Sequence, residues 1–378
     1  MLRPSDRALH TRARTSRISC RRHAPVFHAA ILAGCMMAVP APAFAADYYA
    51  GKTITFMIGG QPGGGYDVYA RVIARRLGNH IPGHPDIVVK NMVGAVSVKA
   101  ATFMAQQAPR DGTMIAAVFP AAIVDPLLNA EGKKRYDPTK FQYLGTSDNG
   151  TRVCATYGTS KTKTYEDAQK RKTLMAASQA GGSTQQYASL SNNLTGTRFE
   201  LVSGYKGTVD GLLAMERGEV EGMCGLDWTS IQTQHPDWIH DKKVNILVQV
   251  AIDEKPELTK LGVPTIWKYI KNDDDRNAAK VVLTQQIFGR PYFAPAGVPA
   301  DVVAILRKAF TDTMADPAML ADAKKARLDI DPLDGEKVQK VVEDLYANPE
   351  NVIENAKHAL EQRPTKSRLT SHKNDPTR

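Results

Sequence analysis

Strand-like and helix-like segments alternate along most of the chain, and this predicts an α/β protein with mainly parallel central sheets. Two further observations support that class. Several strand-to-helix joins are rich in glycine, and Val244–Val250 is a near-continuous apolar run, as expected of a strand covered on both faces. With its leader set aside, the chain of about 330 residues is long enough for two domains and a large buried core.

The elements follow in order. Thr53–Ile58 is β-branched, aromatic or apolar throughout and reads as a strand. After it, Val68, Val72, Ile73 and Leu77 recur at helical steps and leave Arg71, Arg75 and Arg76 mostly outward. Residues 87–90 read as a strand, 98–107 as a helix, and 113–118 as a strand after the turn Pro109-Arg110-Asp111-Gly112. Further strands are expected at Arg152–Tyr157, Thr173–Ala177, 199–202 and 220–224, and helices at 187–194, 207–217 and 299–314. The acidic run Asp273-Asp274-Asp275 reads as a solvated linker.

The turn Gln61-Pro62-Gly63-Gly64-Gly65-Tyr66-Asp67 joins the first strand to the first helix. Glycines let backbone come close to a ligand, and a helix start offers free N–H groups and partial positive charge to an anion. A plain tight turn fits the same residues. The turn is not a phosphate loop, because Tyr66 and Asp67 stand where Gly-Lys-Ser/Thr would be needed, and consecutive glycines do not make a dinucleotide fingerprint. Asp67 reads as a helix-start residue paired with Arg71 four positions on, and Tyr66 as the ligand neighbour. Three more strand-to-helix joins are of the same kind: Asn91-Met92-Val93-Gly94-Ala95-Val96-Ser97, Gln179-Ala180-Gly181-Gly182-Ser183-Thr184 and Ser203-Gly204-Tyr205-Lys206-Gly207-Thr208. Together they suggest a cleft gripping a small polar ligand at the carboxyl ends of strands; ordinary α/β loop chemistry is the alternative.

The ends carry the charge. Seven arginines against Asp6 in residues 1–45, and five cations against Asp375 in residues 363–378, account for the formal +10 and leave a near-neutral body. The alkaline character therefore gives no support to nucleic-acid binding. The basic leader, the apolar stretch 26–39 and the small residues up to Ala45 read as a secretory signal cleaved after Ala45. Leu32-Ala33-Gly34-Cys35 offers lipid anchoring through Cys35 as the alternative. The tail 363–378 is expected to be disordered. Once the leader is removed, Cys154 and Cys224 remain, and a disulfide or two buried thiols are both open. No metal-ligand spacing, nucleophile elbow or metalloprotease helix occurs. Glu219, Glu221 and Asp227 lie where an acid and base could act, but read more simply as surface or hinge polar groups.

An ordered series of motifs resembles a known family: Gly59-x-x-Pro62-Gly63-Gly64-Gly65-Tyr66-Asp67-x-Tyr69-Ala70-Arg71, His80-Ile81-Pro82-Gly83-x-Pro85, Asn91-x-x-Gly94-Ala95 and Ala108-Pro109-x-Asp111-Gly112-Thr113. Tyr205-Lys206-Gly207, Val263-Pro264-Thr265 and Phe293-Ala294-Pro295-Ala296-Gly297-Val298-Pro299 continue it. These resemble the solute receptors of tripartite tricarboxylate transporters, the Bug-type extracytoplasmic binding proteins. The resemblance implies a two-lobe fold of the periplasmic binding protein kind, closing on a small carboxylate that is delivered to a permease with large and small membrane subunits. It implies no cofactor, no catalysis, a periplasmic location and a monomer. Lobe 1 is expected over 46–147 plus about 271–362, and lobe 2 over 148–270. Carried over by the motifs, the ligand-binding residues are Gly63, Gly64, Gly65, Tyr66, Gly94, Ala95, Ser97, Gly181, Gly182, Ser183, Thr184, Tyr205, Lys206 and Gly207, with Thr146 and Ser147 at the first crossing between lobes. Where the family often has Pro-Gly-Ala-Gly, this chain has Val93-Gly94-Ala95-Val96, which puts that corner of the pocket in question. Arg152 and Lys206 are extra cations beside candidate turns; either could pair a second ligand carboxylate, although a surface position is the commoner fate of such residues. A receptor presenting ligand to a sensor kinase, and a secreted hydrolase using Asp227 or Glu221, are the rival readings.

Overall fold

The computed structural model describes residues 48–177, 181–205 and 208–362. The leader with Cys35, the tail from 363, and Lys206 and Gly207 lie outside the described residues. The strands are β1 Thr53–Ile58, β2 Asp86–Asn91, β3 Met114–Ala117, β4 Gln142–Thr146, β5 Arg152–Tyr157 and β6 Thr173–Ala177. They continue with β7 Phe199–Ser203, β8 Gly222–Asp227, β9 Val244–Val250, β10 Pro291–Ala294 and β11 Leu333–Asp334. They form two sheets, in the orders β11-β4-β10-β3-β1-β2 and β7-β6-β8-β5-β9.

The α/β class with two sheets is as expected; the mainly parallel pairing is corrected. Parallel pairs are confined to β2–β1–β3 and β7–β6–β8, while β10 pairs antiparallel with β3 and β4, β11 with β4, and β5 with β8 and β9. The βα units set the parallel trios, since a crossover helix returns each strand in the same sense. β5 and β10, the strands the chain enters after each passage between sheets, run opposite to the parallel trio beside them.

The alternation of side chains in β1 explains its place. Ile54, Phe56 and Ile58 face a core with Ile73, Leu77, Tyr292 and Phe310, contributed in part by the helices Gly65–Leu77 and Ala300–Ala315. Met57 faces the opposite way into a second core with Ile123, Phe141 and Phe293. That second core continues into the other sheet through Met175, Cys154, Cys224 and Val248, whereas Val153, Ala155 and Met223 face a third core with Trp228 and Trp238. β9 is an edge strand with largely buried faces, and its open edge is met by the bridge from Gln249 to Thr265.

One segment is corrected. Asp273, Asp274 and Asp275 form the first turn of the helix Asp273–Leu283, where the Asn272 side chain accepts the Asp275 N–H. Three carboxylates at a helix start are stabilised by the dipole, so the run begins an element instead of linking two. That helix packs against the final helix Glu350–Leu360, which also touches the helices Ser183–Thr195 and Pro120–Leu128.

Candidate functional site

Two glycine turns, one on each sheet, are built alike. Gly63 and Gly181 have φ of +76° and +79°, a conformation that glycine adopts without penalty. Each is followed by an extended glycine at the helix N-cap, Gly64 (φ −73°, ψ 163°) and Gly182 (φ −76°, ψ 155°), with no side-chain cap. In each, the side chain four residues beyond the left-handed glycine takes up that glycine's N–H. Gly63 donates to Asp67 Oδ2 at 2.8 Å and Gly181 to Gln185 Oε1 at 2.8 Å. Gly64 N–H is also engaged, with the Gln61 carbonyl at 3.1 Å. At the first turn, the N–H groups that helix geometry leaves without an intrahelical partner therefore begin at Gly65.

Asp67 holds the first turn in shape, as its place in the first helical turn suggests. It is buried, pairs with Arg71 at 2.9 Å and accepts from Asn91 Nδ2 at 2.9 Å, while Asn91 also donates to the Gly60 carbonyl. Burial alone would raise its pKa; the hydrogen bonds from Arg71, Gly63 and Asn91 outweigh that and lower it.

On the second sheet, the bulge of β8 against β5 falls at Cys224 and Gly225. Gly225 has φ of +74°, and a Cβ there would stand 3.0 Å from the Ser183 carbonyl and 3.1 Å from Thr184 N. Only glycine lets β8 lie this close to the helix start. Beside it, Cys154 and Cys224 form a disulfide between β5 and β8.

The third turn is differently made. Ala95, Val96 and Ser97 all have positive φ (44°, 50° and 69°), costly for side-chain-bearing residues and most of all for the β-branched Val96. Ser97 compensates from a fully buried position: its hydroxyl donates to the Gly59 carbonyl and accepts Phe119 N–H, both at 3.0 Å. It ties this turn to the end of β1, where a Cβ on Gly59 would strike it. Gly94 and Ala95 border the same corner, with φ of +151° at Gly94.

Tyr66 ties the first turn to the segment that leads into β10. Its hydroxyl donates to the Gly289 carbonyl at 2.7 Å, and its ring meets Phe119 edge-on at 4.2 Å. Burial pushes its pKa up to about 12, with Arg290 and Arg152 opposing and Tyr187 and Asp227 adding. Tyr66 thus feels the charges of Arg152 on β5 and Asp227 on β8 and the hydroxyl of Tyr187 on the helix Ser183–Thr195. Arg152, which looked like a surface cation, is mostly buried and pairs with Asp227 at 2.6 Å. Burial opposes its charge, but Asp227 and the neighbouring tyrosines raise its pKa on balance.

Thr146 and Ser147 are fully buried at the first passage between sheets. Thr146 Oγ1 donates to the Asp148 carbonyl at 2.9 Å and accepts Arg290 N–H at 3.1 Å, and Ser147 Oγ lies 3.0 Å from Tyr292 OH. Tyr205 is half-buried against the third core; burial raises its pKa, and Glu219 adds to that. Thr184 is buried at the second helix start, where Ser183 remains partly open.

Sequence reasoning missed Arg290 and Asp148, which form an ion pair with side chains 8% and 3% exposed. Arg290 also stacks over Tyr69 at 3.9 Å from the ring centre. No motif marks them, and the partners lie far apart in the chain. Of the carboxylates considered for hydrolysis, Asp227 is held by Arg152, and Glu221 is held by Arg171 at 2.7 Å and by Ser160. Against burial, these contacts keep the Glu221 carboxyl below its ordinary range, opposite to what a general acid requires.

The sequence matches the model of the tripartite tricarboxylate transporter family receptor, TctC, over residues 69–357. Similar solved structures include a TctC solute-binding protein from Polaromonas, 18% identical over 79% of this chain and 96% of that one, with a TM-score of 0.60. The periplasmic binding protein BugD is 22% identical over 83% and 100%, with a TM-score of 0.59. MatC from Rhodopseudomonas palustris with bound malate is 20% identical over 82% and 99%, with a TM-score of 0.58. These likenesses establish the shared two-sheet α/β fold, and no curated protein matches. The chain belongs to the tripartite tricarboxylate transporter receptor family.

Proposed function

We propose that this receptor is exported by its leader, captures a small carboxylate between lobes built on its two sheets, and delivers it to the large and small subunits of a tripartite permease. The observation that carries the reading is the pair of matching glycine turns, at Gly63–Gly65 and Gly181–Ser183, each opening a helix with uncapped N–H groups. A helix start of this kind favours negative charge through both its free donors and its dipole. Gly94, Ala95 and the turn at Tyr205–Gly207 complete the proposed site, with Tyr66 at its centre. The malate held by MatC is of the chemical class that such donors suit. Lobe 1 would comprise 46–147 and about 271–362, lobe 2 148–270, the chain crossing at 147–151 and 289–290.

Calorimetry against mono- and dicarboxylates is expected to find a tight ligand. Gly65 is the test position, because a Cβ there meets nothing within 4 Å, whereas one on Gly64 would press on the Gln61 carbonyl at 3.2 Å. Gly65→Leu should cost at least about tenfold in affinity with an unchanged circular dichroism spectrum. Undiminished binding in that variant removes the turn from the site. Uptake of the same acid by cells carrying receptor and permease, lost when the receptor gene is deleted, tests delivery.

A further inference from the structure

The space beneath Tyr66 holds four buried charges that cancel. Arg152 is paired with Asp227 and Arg290 with Asp148, and the four side chains are between 3% and 15% exposed. The two pairs adjoin: a Cβ on Gly150 would lie 2.5 Å from Asp227 Oδ2 and 3.3 Å from Asp148 Oδ2. Tyr66 and Tyr69 lie over Arg290, at 5.4 and 3.9 Å from their ring centres. Among the described residues, three buried polar atoms of this segment make no hydrogen bond: Arg290 Nη1, which is ion-paired to Asp148, and the donor Arg290 Nε and the acceptor Gln286 Oε1, which have no such pairing. Gln286 reaches the Arg152 side of the cluster, since its amide donates to the carbonyl of Val250, the residue paired with Arg152 across β9.

From this we infer that the ligand carries a single carboxylate, and that its far end is an uncharged group offering both an acceptor and a donor, a carboxamide being the simplest. This rests on the carboxylate-receptor reading above. Both guanidinium groups are already neutralised, so a second carboxylate would bring an uncompensated charge into a water-poor space or force an arginine from its aspartate. A carboxamide adds no charge. Its carbonyl accepts from Arg290 Nε and its NH2 donates to Gln286 Oε1, which satisfies both orphaned atoms as the lobes close.

The test is calorimetry of the receptor with matched pairs: succinate and succinamate, glutarate and glutaramate, adipate and adipamate. At the best-fitting length the half-amide should bind at least about tenfold tighter than the diacid. Asp227→Asn leaves Arg152 with an unmatched charge and should shift the ratio toward the diacid by about tenfold; Asp148→Asn makes the same change at Arg290 and serves if the first variant does not fold. A diacid bound as tightly as its half-amide by the unaltered receptor, or a ratio unmoved by loss of the aspartate charge, overturns the inference and leaves carboxylate capture standing. Failure of every acid in the series to bind overturns both.

Discussion

In the proposed site, Asp67 would serve ligand binding without touching the ligand. It lies in the first turn of an anion-favouring helix, where a free carboxylate would repel the cargo. Arg71, Asn91 and the Gly63 N–H absorb its charge and fix the turn beside Gly65. Because its folded-state pKa is depressed, its stabilising contribution is present above the unfolded value of about 3.9 and is lost as pH falls through the lower folded value. Asp67→Asn should therefore cost about 1–2 kcal/mol at neutral pH, with the gap from the unaltered protein narrowing below about pH 4. Thermal unfolding across that range reads it, and a gap that stays constant into acid would contradict the assigned ionisation. The partnership with Arg71 was legible because four residues is one helical turn. Asn91 was not, since only strand pairing brings the end of β2 beside the end of β1. Arg290 and Asp148 were illegible for the same reason: their meeting depends on two separate passages between the sheets.

Among elements, β5 and β8 carry the most consequence. Arg152 and Asp227 are register partners on these strands, and the disulfide between Cys154 and Cys224 lies two and three residues away from them. The cysteines close a loop with a sequence separation of 70, for which loop-closure entropy predicts about 4 kcal/mol. The Cys154→Ala, Cys224→Ala double variant should lose about 2–4 kcal/mol by urea unfolding. It should also weaken ligand binding, because the strand pairing that sets Arg152 against Asp227 is then less constrained. Full stability in the double variant would mean that the bond is absent from the exported protein. Periodicity and β-branched runs located these strands, and glycine-rich joins located the turns, since both signals are local. Partner order in the sheets is not local, which is why the antiparallel pairs went unread. The acidic triple at 273 was misread because its charge suggested solvent; Asn272, whose side chain caps that helix start, went unread.

At the scale of the molecule, function depends on how the second sheet's side meets the first. Beyond the passages between sheets, a direct side-chain link runs from Thr229, just after β8, to Asp329, whose Oδ2 accepts its hydroxyl at 3.0 Å. Asp329 is in turn fastened to the first helix, its backbone N–H and carbonyl both bonded to Tyr69 OH at 3.0 and 2.8 Å. Asp331 N–H, two residues on, bonds to the Ser147 carbonyl at the first passage. On the proposed reading, a ligand held between the sheets would leave only once such links open, so this contact should act on dissociation. Asp329→Ala deletes the acceptor and keeps the backbone bonds to Tyr69, so the fold should persist. One hydrogen bond contributes about 0.5–1.5 kcal/mol, which corresponds to a dissociation rate raised by about two- to tenfold. Association, which occurs to the open form, should change little. Stopped-flow measurement of both rates decides the matter: a slowed association with unchanged dissociation would place Asp329 on the entry path, and the link to Thr229 would then have no part in holding the receptor closed.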